Sequence, residues 1–292
     1  MIRDITLGQY YAADSVIHRL DPRTKLVGTL AYLIALFIFN NPYVFALAAF
    51  FLITLILLSH VPFRFILKGL KPILFLLLFT VIINMLFVKG TPLFSIWKIT
   101  VTEEGVNQAV SMGVRLILLI LGSNLMTLTT TPTRLTAGME HLMRPLKLIG
   151  VPVHEIAMMM SIALRFIPIL MEETDRIMKA QLARGADFES GNLFKKIRSF
   201  VPVLVPLFVS AFRRANDLAM AMEARCYHGG KGRTQYRPLR YTRRDAVAYL
   251  ILILYLAAVF VAGKWLSELA TPWFKEMIGY AGSVSVSMSE VY

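Results

Sequence analysis

The sequence predicts an all-α integral membrane protein of about five transmembrane helices, with a long amphipathic insertion between the fourth and the fifth. The first observation is that 57% of the 292 residues are hydrophobic and the mean hydropathy is +0.62. A soluble domain of this length cannot usually bury so much apolar surface. The second is that five apolar stretches reach or approach the roughly 20 residues needed to cross a bilayer core of about 30 Å.

The five apolar stretches define the predicted domains in chain order. The predicted spans cover about residues 25–39, 43–59, 72–88, 106–128 and 246–263, with the turn "NNP" between the first two. Residues 1–130 then hold an amino-terminal segment and the first four spans, residues 131–245 the insertion, residues 246–263 the fifth span and residues 264–292 a carboxyl-terminal tail.

The basic residues are concentrated in alternate connections, which predicts the orientation. The segment 59–71 carries a net charge of +3 and the insertion 131–245 carries +9, whereas segment 88–105 is neutral and segment 264–292 carries −1. Basic loops remain cytoplasmic, so we predict a cytoplasmic amino terminus and an external tail. The formal charge of +13 is then mostly topological, and we predict no nucleic-acid partner.

Two long amphipathic helices are predicted within the insertion. After a first helix that begins near Thr131 and Pro132, breaks are expected near Pro145 and at Gly150–Pro152. The first long helix then covers about residues 154–183 and the second about residues 193–225. A basic loop, "HGGKGRTQYRPLR", closes the insertion.

Both long helices end in a similar short motif, "AQLARGAD" with Arg184 and "MAMEARCYHG" with Arg225. One explanation is structural, because a cation near a helix carboxyl end interacts favourably with the dipole and glycine commonly follows the end. The repetition favours a second explanation. Small neighbours leave each guanidinium free to enter a groove of a partner and to pair with a carboxylate or with backbone carbonyls.

Methionines are frequent on the two long helices. Core filling is one explanation, but three consecutive methionines, Met158, Met159 and Met160, spread over about 200° of the helix circumference. They cannot all face one core. Flexible thioethers suit a surface that accepts several partners, and Met171 lies further along the same helix.

Three polar residues in the predicted spans, Asn84, Arg115 and Asn124, require partners. If the fourth span starts near Val106, Arg115 lies deep and must pair within the bundle. If it starts near Gly113, the guanidinium extends outward to the interface, and we favour this second placement.

No catalytic, metal or nucleotide site is predicted. The stretch "HGGKGRT" fails the phosphate-binding-loop pattern, because Arg225 stands in place of its first glycine and Gly232 in place of its hydroxyl residue. The five histidines have no metal-ligand spacing. A Ser/His/Asp or paired-carboxylate arrangement cannot be argued from the spacing either.

Three long stretches resemble the transmembrane T component of energy-coupling factor (ECF) transporters. They are "GQYYAADSVIHRLDPRTKL" (8–26), "TPTRLTAGMEHLMRPLKLIGVPVHEIAMMMSIALRFIPILMEETDRIMKAQLARG" (131–185) and "VPVLVPLFVSAFRRANDLAMAMEARCYHGG" (201–230). The resemblance implies that the insertion is a cytoplasmic coupling-helix domain whose long helices cross in an X. It also implies that the two arginine motifs dock into grooves of two ABC-type ATPases. The implied docking residues are Ala183, Arg184, Gly185, Ala224, Arg225 and Cys226. Cys226 departs from an Ala-Arg-Gly pattern, which puts a positive φ at that position in doubt.

The function that the resemblance implies is mechanical coupling in a vitamin or micronutrient importer of a prokaryotic cell membrane. The partners would be two ATPase subunits, a membrane-embedded S component that binds the substrate, and the bilayer. The chain itself would hold no cofactor and catalyse nothing, since ATP and Mg²⁺ belong to the ATPases. Met158, Met159, Met160 and Met171 are the expected S-component contacts. The alternatives are a stand-alone secondary transporter and an integral-membrane enzyme.

Overall fold

The computed structural model describes residues 10–88, 91–96, 99–186, 188, 193–229 and 238–264. Within these ranges the chain forms nine α-helices. They are α1 (Pro22–Ile38), α2 (Pro42–Ser59), α3 (Phe63–Lys68), α4 (Leu74–Phe87), α5 (Glu103–Thr129), α6 (Pro132–Leu142), α7 (Val153–Ala183), α8 (Leu193–Glu223) and α9 (Arg243–Lys264). The predicted helical fold class is confirmed.

A short antiparallel hairpin adds to the predicted helices. Strand β1 (Pro92–Ile96) pairs with β2 (Ile99–Thr102), with a bulge between Pro92 and Phe94. The alternation of apolar and hydroxyl residues in "ITVT" suits a strand. The hairpin connects α4 with α5.

Five helical segments among the described residues are long and apolar enough to cross a membrane. They are Pro42–Ser59, Phe63–Met85, Glu103–Thr129, Val153–Ala183 and Arg243–Lys264. Four of these overlap predicted spans, whereas Val153–Ala183 is a predicted coupling helix. The first predicted span corresponds to α1, which has only 17 residues. The number of candidate spans, judged by length and composition, matches the predicted count of about five, although the two sets differ by one helix. The cytoplasmic placement of α7 remains a prediction.

The chain divides into two compact units. The first contains residues 10–131 and residues 240–264, and the second contains the described residues between 132 and 239. The placement of the first unit in the membrane and of the second in the cytoplasm stays a prediction. The predicted tail, apart from Lys264, lies outside the described residues.

The first unit has an apolar core between α1, α2, α5 and α9. Leu36 and Val44 are completely buried, and Ala48 of the next turn of α2 lies beside them. The rings of Phe51 and Tyr255 stack with centroids 4.2 Å apart. Because the outer faces of these helices remain apolar and exposed, the unit is suited to a lipid environment.

A buried carboxylate links the beginning of α9 to the beginning of α1. Asp245 is only 1% exposed. One of its oxygens accepts from the backbone N–H and the hydroxyl of Thr242 at 2.8 and 2.7 Å, and the other accepts from the backbone N–H of Asp21 at 2.8 Å. The Thr24 hydroxyl adds a longer bond of 3.3 Å. One side chain thus caps α9 and holds a segment more than 200 positions earlier in the chain.

The amino-terminal segment also contacts the end of α5. Lys25 Nζ donates to the carbonyl of Thr129 at 2.8 Å, and the backbone N–H of Tyr11 donates to Leu128 at 2.9 Å. Burial lowers the pKa of His18, which favours the neutral ring. The ring bridges the carbonyl of Tyr11 at 3.0 Å and the Ser15 hydroxyl at 2.8 Å.

The helix that contains the fourth predicted span starts earlier than expected, and the point at which it enters a bilayer stays a prediction. Helix α5 begins at Glu103 rather than near Gly113, because the Thr102 side chain accepts from the backbone N–H of Gly105 and caps the helix there. Arg115 consequently lies near the middle of α5. Its guanidinium donates to Asn40 at 3.1 Å in the α1–α2 turn and lies over the rings of two phenylalanines, Phe37 and Phe45.

The two asparagines of the predicted spans bond to backbone carbonyls. Asn84 donates to Thr80 at 2.8 Å within α4, and Asn124 of α5 donates to Ile66 of α3 at 2.9 Å. Both satisfy an amide that would be costly to leave unpaired in an apolar environment.

The helices of the second unit follow the predicted pattern closely. A 3-10 turn, Arg144–Ile149, follows α6 and ends at Gly150, which has a φ of 85°. Pro152 is the residue immediately before α7. Both predicted breaks are therefore present. Helix α7 packs against both α6 and α8. The one difference is that α8 ends at Glu223, two residues before the predicted Arg225.

We expect Asp245→Asn to destabilise the chain by about 2–3 kcal/mol, because the amide would present a donor group where backbone N–H groups and hydroxyls donate. The measurement is thermal or chemical unfolding of the purified chain in detergent micelles. Asp14→Asn is the matched control, since Asp14 forms an exposed pair with Arg19 and such pairs contribute little. Equal effects of the two substitutions would contradict the linking role of Asp245.

Candidate functional site

The carboxyl end of α7 has a well-defined hydrogen-bond pattern. Gly185 has a φ of 84°, and its N–H donates to Leu182 at 3.0 Å. The N–H of Ala186 donates to Gln181 at 3.0 Å. This pair of bonds with a left-handed residue is the Schellman motif, and it makes Arg184 the capping residue of the helix.

The carboxyl end of α8 has the same pattern. Cys226 has a φ of 56°, and its N–H donates to Glu223 at 2.8 Å. The N–H of Tyr227 donates to Met222 at 3.1 Å. Arg225 is therefore the capping residue here, in the position that Arg184 occupies on α7. The sequence left a positive φ at Cys226 in doubt, and the structure shows that this cysteine has one although it is not glycine.

The equivalence of the two ends extends to their exposure. Ala183, Arg184 and Gly185 are exposed, as are Ala224, Arg225 and Cys226. Each arginine is thus a solvent-accessible cation at a helix end whose carbonyls attract positive charge. The two similar sequence motifs thus adopt the same turn at the ends of α7 and α8. The role of these six residues in docking remains a prediction.

Helices α7 and α8 are joined by polar and apolar contacts. Arg214 of α8 donates to the carboxylate of Glu173 on α7, and Gln181 donates to the carbonyl of Pro202 at 3.3 Å. Apolar residues from both helices, including Ile162 and Leu218, line a cavity of about 330 Å³ between them. The contacts connect the two helices at several levels along their length.

The predicted methionine contacts do not share one environment. Met159 and Met160 are 58% and 47% exposed, whereas Met158 and Met171 are half-buried. The spread around the helix that the sequence indicates is present. Two of the four side chains are thereby available to a partner, and their contact with an S component stays a prediction.

An exposed apolar stripe on α8 adds to the methionines that the sequence singled out on α7. Its members lie at spacings of one and four residues, and each is more than half exposed: Leu204, Val205, Phe208, Val209 and Phe212. The rings of Phe208 and Phe212 lie 4.9 Å apart. The spacing of the two phenylalanines was visible in the sequence, but only the structure shows that α7 leaves this face uncovered.

Two further predictions concern the phosphate-binding-loop pattern and metal ligands. The stretch "HGGKGRT" lies largely in residues 230–237, which are outside the described residues. In the part of the chain that the structure describes, no group of three or more metal-ligating side chains occurs.

Comparison with known proteins identifies one family over most of the chain. Residues 13–236 match the family model CbiQ, described as cobalt transport protein. A protein of Ruminiclostridium cellulolyticum named energy-coupling factor transporter transmembrane protein EcfT is 52% identical over 89% of this chain and 97% of its own length. Proteins with the same name from Clostridium kluyveri and Bacillus subtilis are 52% and 49% identical, over 91% and 89% of this chain and 99% and 98% of their own.

The left-handed position after Arg225 should be sensitive to side-chain branching. We expect Cys226→Gly to be neutral or stabilising by up to about 1 kcal/mol, since the left-handed region is costly for a residue with a Cβ. Cys226→Val should destabilise the chain, because a β-branched residue is strongly disfavoured at a positive φ. Thermal unfolding in detergent micelles measures both.

Gly185→Ala is the matched control on α7 and should be destabilising by about 1 kcal/mol. An unchanged unfolding temperature for both Cys226→Val and Gly185→Ala would contradict the Schellman geometry at the two ends.

Proposed function

This chain belongs to the family of transmembrane components of energy-coupling factor transporters, and from that premise we propose that it couples ATP hydrolysis to substrate uptake. It is a multi-pass membrane protein and a transporter component. In the proposal, two ABC-type ATPases bind ATP and Mg²⁺ and supply the motion. The chain transmits this motion to an S component that binds a vitamin or another micronutrient. The amino terminus and the second unit face the cytoplasm.

The observation that carries the proposal is the equivalence of the two helix ends. Two like subunits of an ATPase pair present two like grooves, and the chain presents two exposed arginines, Arg184 and Arg225, in the same Schellman turn. A planar guanidinium can pair with a carboxylate through two parallel hydrogen bonds. The small residues on either side of each arginine leave room for the walls of a groove.

The connection between α7 and α8 supports the transmission of force. Each helix has 31 residues and is therefore about 46 Å long. A displacement applied at the arginine ends would move both helices, because the Arg214–Glu173 pair and the apolar contacts join them. The result would be a shift of the two helices against each other.

The exposed apolar surface of the second unit supports contact with a membrane-embedded partner. The stripe from Leu204 to Phe212 on α8 and the exposed Met159 and Met160 on α7 are apolar. Apolar patches of this kind commonly bind another protein or a membrane, and thioethers adapt to partners of different shape. We propose that the S component binds there, and that the S component determines the substrate. The description cobalt transport protein is compatible with a micronutrient.

Replacing both docking arginines should separate the ATPases from the chain. Removal of a buried, hydrogen-bonded charge at an interface costs about 2–5 kcal/mol, which is a loss in affinity of about 30-fold or more for each arginine. The chain is co-expressed with the ATPases and an S component of the same genome. Co-purification of the ATPases and uptake of the S component's substrate are measured for Arg184→Ala, Arg225→Ala and the double variant.

The controls are Arg176→Ala and Arg213→Ala, which remove exposed arginines from the bodies of the same two helices. Assembly and uptake should be normal in these controls and lost in the double variant. Full assembly and uptake in the double variant would contradict the proposal. ATP hydrolysis or transport by the chain alone would instead favour an enzyme or a secondary transporter.

The methionine surface is tested separately. We expect replacement of Met158, Met159 and Met160 by serine to reduce co-purification of the S component several-fold, because the apolar contact is lost, while the ATPases remain bound. Met178→Ser, a half-buried methionine nearer to the docking end, is the control. Unchanged recovery of every S component tested would exclude these methionines from the contact.

A further inference from the structure

A cavity of about 210 Å³ lies inside the first unit, between α1, α2, α5 and α9. At one end it is lined by the first turns of α1 and α9 and by the last turns of α2 and α5, with Lys25, Arg244, Leu58 and Thr129. These four helix ends and the segment before α1, with Val16, Ile17 and Leu20, surround its opening. The lining reaches Tyr32 on α1, seven residues beyond Lys25, so the cavity extends about 10 Å along the helices.

The interior of the cavity is apolar and has free space. Leu52, Leu55, Leu125 and Leu252 contribute from three helices. At Gly28, a Cβ added to the backbone would have no neighbouring atom within 4 Å. Apolar cavities of roughly 150 Å³ stay dry and admit a molecule of the size of benzene. This cavity is larger and accommodates several methylene groups.

The opening of the cavity carries positive charge. Arg244 is exposed. Lys25 Nζ lies at the end of α5, where it donates to the Thr129 carbonyl at 2.8 Å, to the Thr130 hydroxyl at 3.3 Å and to the His18 carbonyl at 3.5 Å, so it contributes its charge at the opening. Three carboxylates lie nearby, and other groups hold each of them. Asp14 pairs with Arg19, Asp21 accepts from the backbone N–H of Arg23, and Asp245 accepts from Thr242, Thr24 and the backbone N–H of Asp21. Because Asp21 and Asp245 are buried, the exposed charge at the opening on α9 is the guanidinium of Arg244.

We propose that this cavity binds one acyl chain of an anionic phospholipid, with the lipid phosphate at Lys25 and Arg244. The chain would enter between α1 and α9 and extend towards Tyr32. Basic pockets between membrane helices attract the anionic lipids of the cytoplasmic leaflet, and the attraction is about 1 kcal/mol per basic residue near the surface. The inference rests on the membrane location of the first unit and is independent of ATPase docking.

The test uses the full chain in vesicles of phosphatidylethanolamine with a phosphatidylglycerol probe that carries a diazirine in one acyl chain. After illumination, the labelled peptides are mapped. Residues 24–32 of α1 and residues 244–252 of α9 should be labelled several-fold more by this probe than by a phosphatidylcholine probe with the same chains. Equal labelling by the two probes would overturn the preference for an anionic lipid.

Two pairs of variants separate cavity binding from ordinary lipid contact. Gly28→Leu fills the cavity without removing a contact and should reduce labelling several-fold, whereas Leu30→Phe alters a side chain that is 60% exposed on the outer face and should not. Arg244→Gln should reduce labelling by phosphatidylglycerol to the phosphatidylcholine level, and its neighbour Arg243→Gln should leave the labelling unchanged.

Labelling that survives Gly28→Leu would show that the probe reacts from the surrounding bilayer and would overturn the cavity assignment. If Gly28→Leu does not fold, the comparison of Arg244→Gln with Arg243→Gln decides the matter, because both arginines are exposed. Equal labelling of these two variants by phosphatidylglycerol would also overturn the proposal.

Discussion

The positions of Arg184 and Arg225 are determined by backbone hydrogen bonds, because each arginine is the capping residue of a Schellman turn. Such a turn requires one residue in the left-handed region, which is Gly185 on α7 and Cys226 on α8. The turn ends the helix at a defined residue and directs the following chain away. The backbone of each arginine is thereby fixed at the end of a long helix. A force applied to the guanidinium can then displace the helix.

A comparable constraint organises the first unit, where a few polar groups join segments that are distant in sequence. Asp245 connects α9 with the start of α1, and Lys25 connects α1 with the end of α5. These bonds lie at the helix ends that surround the cavity opening. The same arrangement that holds the ends of α1, α5 and α9 together therefore also leaves the apolar space between them, lined by Gly28.

The helices were largely predictable from the sequence, because apolar stretches and prolines mark them directly. The span α2 and the helix α7 agree with the predicted limits to within one residue. The start of α5 was missed because hydropathy begins to rise only after Glu104, although Thr102 followed by two acidic residues is an amino-terminal capping signal. The bond between Asp245 and Asp21 could not be predicted, since no local pattern relates residues so far apart. The left-handed conformation of Cys226 could not be predicted either, because the sequence does not define the residue at which α8 ends.

The most direct test of the central claim is the distance between the two helices in the assembled transporter. Spin labels at Lys179→Cys on α7 and Asp217→Cys on α8, in a Cys226→Gly background, report this distance by pulsed electron paramagnetic resonance. We expect a distance distribution that changes when ATP binds to the partner ATPases and that no longer responds when Arg184 and Arg225 are both replaced by alanine. A distribution that is identical with and without ATP, in a complex that still imports its substrate, would contradict it.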